Sequence, residues 1–307
     1  MTLPRPLAGM LLVGIGAIGF GVMPLFARTA FADGLTPLSL MVWRFGIAVA
    51  CCLPLLPHLL RRDGSQRSDL RFAVMAGASY IGSMVFYFVA LQYLSVALTV
   101  LILFTYPLFT ILVGWLGFRE KLTLRNAIAA LLVLLAASLI LLPSLAGQTT
   151  LNDQQKLAVL LAFIPPAAFA VFVHVAAKRM GRMTIPTRLG GVFFGGLLIM
   201  LTATFAVEGS VILPASPIAW AACAALAIFS TFGSIGLMMV GAPMAGAERS
   251  AIAGASELIT SLLVGLLAFN ETLSWNILLG AGLILLAILI AAQGTDAASE
   301  AEQASAA

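Results

Sequence analysis

Ten apolar runs, each about the length that crosses a bilayer as a helix, take up almost the whole chain: residues 6–27, 37–57, 71–91, 96–117, 124–143, 157–177, 189–207, 217–239, 247–269 and 273–292. No other feature restricts the fold as strongly. In lipid every backbone N–H and C=O must find its partner inside the protein, which leaves only helices and closed barrels. Runs near twenty residues suit helices, because barrel strands need only about 9–11. The composition agrees, with 62% of residues hydrophobic and 9% charged, where soluble domains average about 45–50% and about 25%. The predicted fold class is an all-α membrane protein of ten transmembrane helices.

Polar and glycine-rich stretches separate most of the runs, among them "ADGLTP" (32–37), "RRDGSQRSDLR" (61–71) and "KRMGRMTIPTR" (178–188). Basic residues stay on the cytoplasmic side of a membrane. With the N-terminus inside, all 16 Lys and Arg fall there except Arg28, Lys156 and the intramembrane Arg44. The expectation is a multi-pass protein of the cytoplasmic (inner) membrane with both termini in the cytoplasm. Arg5 and "AFA" at 30–32 imitate a signal peptide, but the first run, 22 residues from 6 to 27, exceeds the 7–15 of a signal core. Residues 293–307 are small, acidic and polar, and are expected to form a disordered cytoplasmic tail. The net charge of +4 resides in short loops, so nucleic acid is not an expected partner. Cys51, Cys52 and Cys223 lie in apolar runs without metal-ligand spacing. "GIGAIG" (14–19) lies inside a span with no preceding strand, so it is no dinucleotide site. Neither metal nor cofactor is expected.

The chain nearly repeats itself. "VGWLGFREKL" (113–122) and "VGLLAFNETL" (264–273) are identical at six of ten positions, 151 residues apart. At the same offset Ala130, Leu134, Leu135 and Ala136 match Ala281, Leu285, Leu286 and Ala287. The repeat divides the chain into five spans over 6–143 and five over 157–292. Five is odd, so the second copy enters the membrane inverted, with Glu120 at the cytoplasmic side and Glu271 outside. Inverted repeats recur in secondary transporters, because two exchangeable halves give inward-open and outward-open states of similar energy.

In "WRFGIA" around Arg44, "YPLFTILVGWLGFREKLT" (106–123) and "SELITSLLVGLLAFNETLS" (256–274), the chain resembles the EamA-type branch of the drug/metabolite transporter superfamily, over about residues 8–293. Such proteins carry a proline in spans 4 and 9 and a glutamate thirteen residues later. Pro107 and Glu120 fit that pattern. In the second half Glu271 fits, Leu258 stands in place of the proline, and Glu257 matches a glutamate often found there. The resemblance implies a ten-helix fold with a central cavity between spans 1, 3, 4, 6, 8 and 9. It implies small metabolites as substrates, often amino acids, and frequently export.

Glu257 is the most informative single residue, because an ionised acid near mid-bilayer costs roughly 2.5–3.5 kcal/mol. It must face a cavity, pair with a cation or hold a proton, and it is a candidate for binding a substrate amine or a coupling H+. The bland alternative is an internal ion pair, for which Arg44 lies at a similar depth; Arg44 itself reads as structural. Tyr80, Met84 and Tyr87 share one face of span 3 and are candidate pocket residues, although such stripes usually pack helices. Thr99, Ser230 and Ser256 supply hydrogen-bonding groups, which serve equally as glue between helices. His174, near the cytoplasmic end of span 6, is a relay candidate whose bland reading is an interfacial histidine. Glu120 and Glu271 read as structural markers, each three residues before an N-cap, Thr123 or Ser274, where negative charge favours the following helix.

The expected function is a secondary transporter of small organic metabolites, not an enzyme. The alternatives are a membrane-embedded enzyme or a channel or scaffold. Ser256 and His174 sit too far apart in depth for a nucleophile–base pair, and no ring of like charge or filter loop marks a channel. The partners are a small-molecule substrate and the lipid bilayer, with the coupling ion and a homodimer left open.

Overall fold

The computed structural model describes residues 4–55, 67–119, 122–145, 151–179 and 183–306. Among them it is helical, without strands. Seven helical stretches are long and apolar enough to cross a membrane: Arg5–Ala32, Leu70–Tyr93, Val96–Phe118, Asp153–His174, Ile185–Glu208, Pro217–Ala245 and Arg249–Phe269. Three shorter apolar helices, Pro37–Cys52, Leu124–Ile140 and Trp275–Ala291, lie in the three remaining runs. The protein is a multi-pass helical membrane protein.

The chain passes back and forth between two ends, called here the near end, where Arg5 lies, and the far end, where Asp33 lies. Span 1 is α1 (Arg5–Gly21) followed by α2 (Met23–Ala32), and the second apolar run is the shorter α3 (Pro37–Cys52). Span 3 is the unbroken α4 (Arg67–Tyr93), span 4 is α5 (Val96–Leu103) plus α6 (Tyr106–Phe118), and the fifth apolar run holds α7 (Leu124–Leu145). In the second half α8 (Asp153–Ala162) and α9 (Ile164–Arg179) form one broken span, and α10 (Ile185–Glu208) forms the next. Then come α11 (Pro217–Ala227), a π-helical turn (Ile228–Gly233) and α12 (Ser234–Ala245). Next comes the broken span α13 (Ala247–Gly254) with α14 (Ser256–Phe269), and then α15 (Trp275–Ala306).

Two kinds of local chemistry break these spans. Pro24, Pro107 and Pro165 follow three of the breaks by one or two positions, where a missing N–H removes a bond to the preceding turn. The other two breaks have no proline at the junction. Thr231 and Ser234 in the π-helical region donate to the carbonyls of Leu226 and Phe229, each five residues back, at 2.9 Å. At the α13–α14 break Ser256 Oγ shares its hydrogen between the Ala253 carbonyl at 2.7 Å and the Gly14 carbonyl of α1 at 3.2 Å.

Tight helix crossings hold the bundle. α1 lies along α12, α4 along α10 and α7 along α15. Gly195 shows why small residues are required: a Cβ there would collide with the Val74 carbonyl of α4, and small residues are what let membrane helices approach to backbone contact. At the far end Asp33 accepts hydrogen bonds from the N–H groups of Ala215 and Ser216, and Glu208 accepts from the hydroxyls of Thr36 and Ser39. Trp43 and Trp220 meet edge to face with centroids 4.7 Å apart.

The last helix, α15, continues past Gln293 to Ala306. The tail lacks apolar residues for a core, but its alanine, glutamate and glutamine are good helix formers and simply extend the preceding helix.

Candidate functional site

The 151-residue offset seen in the sequence reappears in three dimensions. Shifted by that amount, α5 coincides in numbering with α13, and α6 matches α14 to within one residue at its start. Their C-caps, Arg119 and Asn270, are the non-glycine residues with positive φ among the described residues, at 57° and 51°. Thr105 is the counterpart of Ser256, and its hydroxyl donates to the Ile102 carbonyl, three residues back, at 2.7 Å, as Ser256 does to that of Ala253. The two copies run oppositely: α6 ends at the near end and α14 at the far end.

Both breaks fall in the middle of the bundle, so α6 and α14 begin there with unpaired N–H groups and the positive ends of their dipoles. Tyr106 opens α6, and its counterpart Glu257 lies in the first turn of α14. Glu257 is half-buried and within electrostatic reach of Tyr80, Tyr87 and Tyr106. Among the described residues nothing donates a hydrogen bond to its carboxylate. Aromatic rings continue the cluster. Tyr80 stacks on Phe172 at 4.9 Å and leans on Phe169 at 5.4 Å, and Tyr106 meets Phe169 edge-on at 5.2 Å.

Arg44 is buried and in reach of Tyr80 and Tyr87. It forms no ion pair with Glu257; its guanidinium is engaged elsewhere. Its Nε donates to Thr231 Oγ1 at 2.6 Å, and its guanidinium lies 5.2 Å from the Phe45 ring and 5.5 Å from that of Phe88. Tyr87 is 2% exposed and Met84 8%, so both belong to the packed core that backs Tyr80. Thr99 directs its hydroxyl to the Ser95 carbonyl of its own helix. Ser230 is fully buried and its hydroxyl has no partner among the described residues. His174 lies toward the near end, with Nδ1 2.8 Å from the Ala170 carbonyl and its ring stacked on Phe118. Pro107 is buried in the first turn of α6. Glu120 lies outside the described residues.

Glu271 does what its sequence position hides. It does not serve the helix that follows it, whose N-cap is Ser274. Its carboxylate instead reaches α5 in the other half, accepting from Val96 N at 2.7 Å and Ala97 N at 3.1 Å. Arg28 completes the group, with Nη1 3.0 Å from Glu271 and Nη2 donating to the Leu94 carbonyl at 2.6 Å. Sequence reading noticed Arg28 only as an exception to the charge asymmetry, and that exception was the available signal.

A cavity of about 290 Å³ opens at the far end, lined in part by Tyr93, Ser95, Gln155 and Ser274. It is distinct from the Glu257 cluster. Among the described residues no group of three or more His, Cys, Asp or Glu could hold a metal ion.

The family model of the EamA-like transporter family matches residues 7–142 and again 156–293. No curated protein matches. Of 22 matching chains of known structure, one protein crystal structure superposes on 92% of this chain and 96% of its own, with a TM-score of 0.65 at 20% identity. At that identity the likeness is one of fold.

Proposed function

The chain belongs to the EamA-like transporter family, and on that premise we propose that it is a secondary transporter. Its cargo is small amine-bearing metabolites, amino acids first among them, and it exports them across the cytoplasmic membrane by alternating access. One observation carries the reading: an intramembrane carboxylate, Glu257, in the first turn of a half-helix that starts mid-bundle, beside three tyrosines. Ionisable groups inside a membrane bundle mark pathways for substrates and ions, and half-helix ends at mid-membrane recur in transporter sites.

The residue roles follow from their chemistry. Glu257 binds the substrate ammonium or, between cargoes, a coupling proton. Tyr80, Tyr106, Phe169 and Phe172 offer ring faces to an apolar or aromatic side chain and to the cation itself. Tyr87 and Met84 back this wall, and Arg44 fixes the π-helical turn beside it. Ser230 is the one further hydroxyl we assign to the site. Thr99 and Ser256 spend their hydroxyls on backbone carbonyls and act structurally. The same commitment of Ser256, and the His174 contact with its own helix, speak against a Ser–His hydrolase.

The matched halves are read as five spans each, inverted, with the near end cytoplasmic. The opposite running of α6 and α14 supports that topology. The test is counterflow in proteoliposomes loaded with unlabelled amino acids, with labelled aromatic and branched amino acids outside and no gradient. Transient accumulation of label is the expected result. Its absence across a broad pool overturns amino acids as the cargo.

A further inference from the structure

Several contacts join the two matched halves at the far end, and among the described residues one of them is an ion pair, Arg28–Glu271. Glu271, from the loop after α14, accepts from Val96 N, Ala97 N and Arg28. Its side chain is 12% exposed and that of Arg28 23%. Arg28 also donates to the Leu94 carbonyl and lies 4.7 Å over the Phe269 ring. Spans 1 and 4 of one half are thereby tied to the last turn of α14 in the other. Gly265 makes room for this: a Cβ there would stand 2.7 Å from Glu271 Oε2. The packing follows the same division. At the far end α5 packs on α14, whereas the near-end counterparts α6 and α13 share no comparable packing among the described residues. The α5–α14 link therefore lies at the far end, on one side of Glu257, without a comparable near-end counterpart between α6 and α13 among the described residues.

We propose that the Arg28–Glu271 pair is the latch that closes the far end over the Glu257 site, and that it parts whenever the site opens to that side. The proposal rests on the transporter reading for its purpose but not for its test. The chemistry suits a reversible closure. Charge-assisted hydrogen bonds are strong when dry, yet both side chains keep some exposure, so water can replace each bond as the end opens.

The test is the distance between spin labels at Tyr93→Cys and Trp275→Cys, which are 41% and 78% exposed on either side of the latch. Cys51, Cys52 and Cys223 are replaced by alanine, and the full chain is kept in lipid. The latched protein gives one short distance. Arg28→Met, which removes the contacts to both Glu271 and Leu94, is expected to add a second population longer by ~5 Å, the order of one helical pitch. Gly265→Ala, which crowds the Glu271 carboxylate without removing either charge, is expected to add a smaller one. An unchanged distance in folded Arg28→Met or, should that variant not fold, in Gly265→Ala overturns the latch. Counterflow separates the two readings. Label accumulation with an unchanged distance removes the latch and leaves the carrier, and a longer population without any counterflow leaves the latch and removes the carrier.

Discussion

The two broken spans, α5–α6 and α13–α14, follow one design and differ where the second half-helix begins. Where the first has Tyr106 and Pro107, the second has Glu257 and Leu258. The break persists in the second copy without its proline, so proline is not what makes it. What the copies share is a hydroxyl, Thr105 or Ser256, bonded to the carbonyl three residues back at 2.7 Å, and a left-handed cap at the other end of the half-helix. The hydroxyl adds a hydrogen bond to a carbonyl at the break, Ile102 O accepting from Thr105 N as well, at 3.0 Å. With the break secured, the neighbouring position can differ, and in the second copy it carries an acid.

The largest expected effect falls on that difference. Glu257→Ala should lower transport by an order of magnitude or more, since a hydrogen bond to a charged group contributes roughly 1.5–3 kcal/mol and each 1.4 kcal/mol is about tenfold. Tyr106→Ala, at the matched position, should cost only a few-fold; equal losses in initial counterflow rate would make the two copies interchangeable. Proline placement comes next. Leu262→Pro, inside α14, should cost about 3 kcal/mol or more, whereas Leu258→Pro, in a first turn whose N–H groups are unpaired anyway, should cost clearly less. Thermal unfolding in detergent ranks the pair, and a reversed order would contradict the assigned break. Removing the hydroxyls should cost about 1 kcal/mol each, with Ser256→Ala above Thr105→Val because Ser256 also holds α1; the same melts read this.

The smallest effect lies at the far-end loop. The Ser216 hydroxyl, helped by the N–H groups of Ser216 and Ala215, holds the Asp33 carboxyl below its usual value of 3.8. A lowered folded pKa gives a contribution complete above the unfolded value and lost as pH falls through the folded one. Asp33→Asn should therefore lower the melting temperature slightly at neutral pH and make no difference below the carboxylate range. A constant difference at all pH values would show that the charge is not involved.

Much of this design was legible in the chain. Seven of the ten apolar runs correspond to helices long and apolar enough to cross a membrane, and the 151-residue register paired the stretch that holds Glu120 with the one that holds Glu271. Glu257 stood out because a charge in an apolar run is costly. Other features were hidden for physical reasons. A serine in a span reads as glue whether or not its hydroxyl holds a break, so the α13–α14 junction was invisible without the proline. Depth estimates placed Arg44 level with Glu257 but could not show that its guanidinium is spent on Thr231. Glu271 was assigned to the helix that follows it in sequence, whereas its partners Arg28 and Val96 lie some 170 to 240 residues away.

The central claim is that Glu257 carries the transport cycle. The most direct test is Glu257→Gln in proteoliposomes, with uptake driven by a pH gradient measured beside exchange without one. The amide keeps the shape but cannot take up and release a proton. Loss of pH-driven uptake with exchange preserved is the predicted result. Unchanged pH-driven uptake would contradict it.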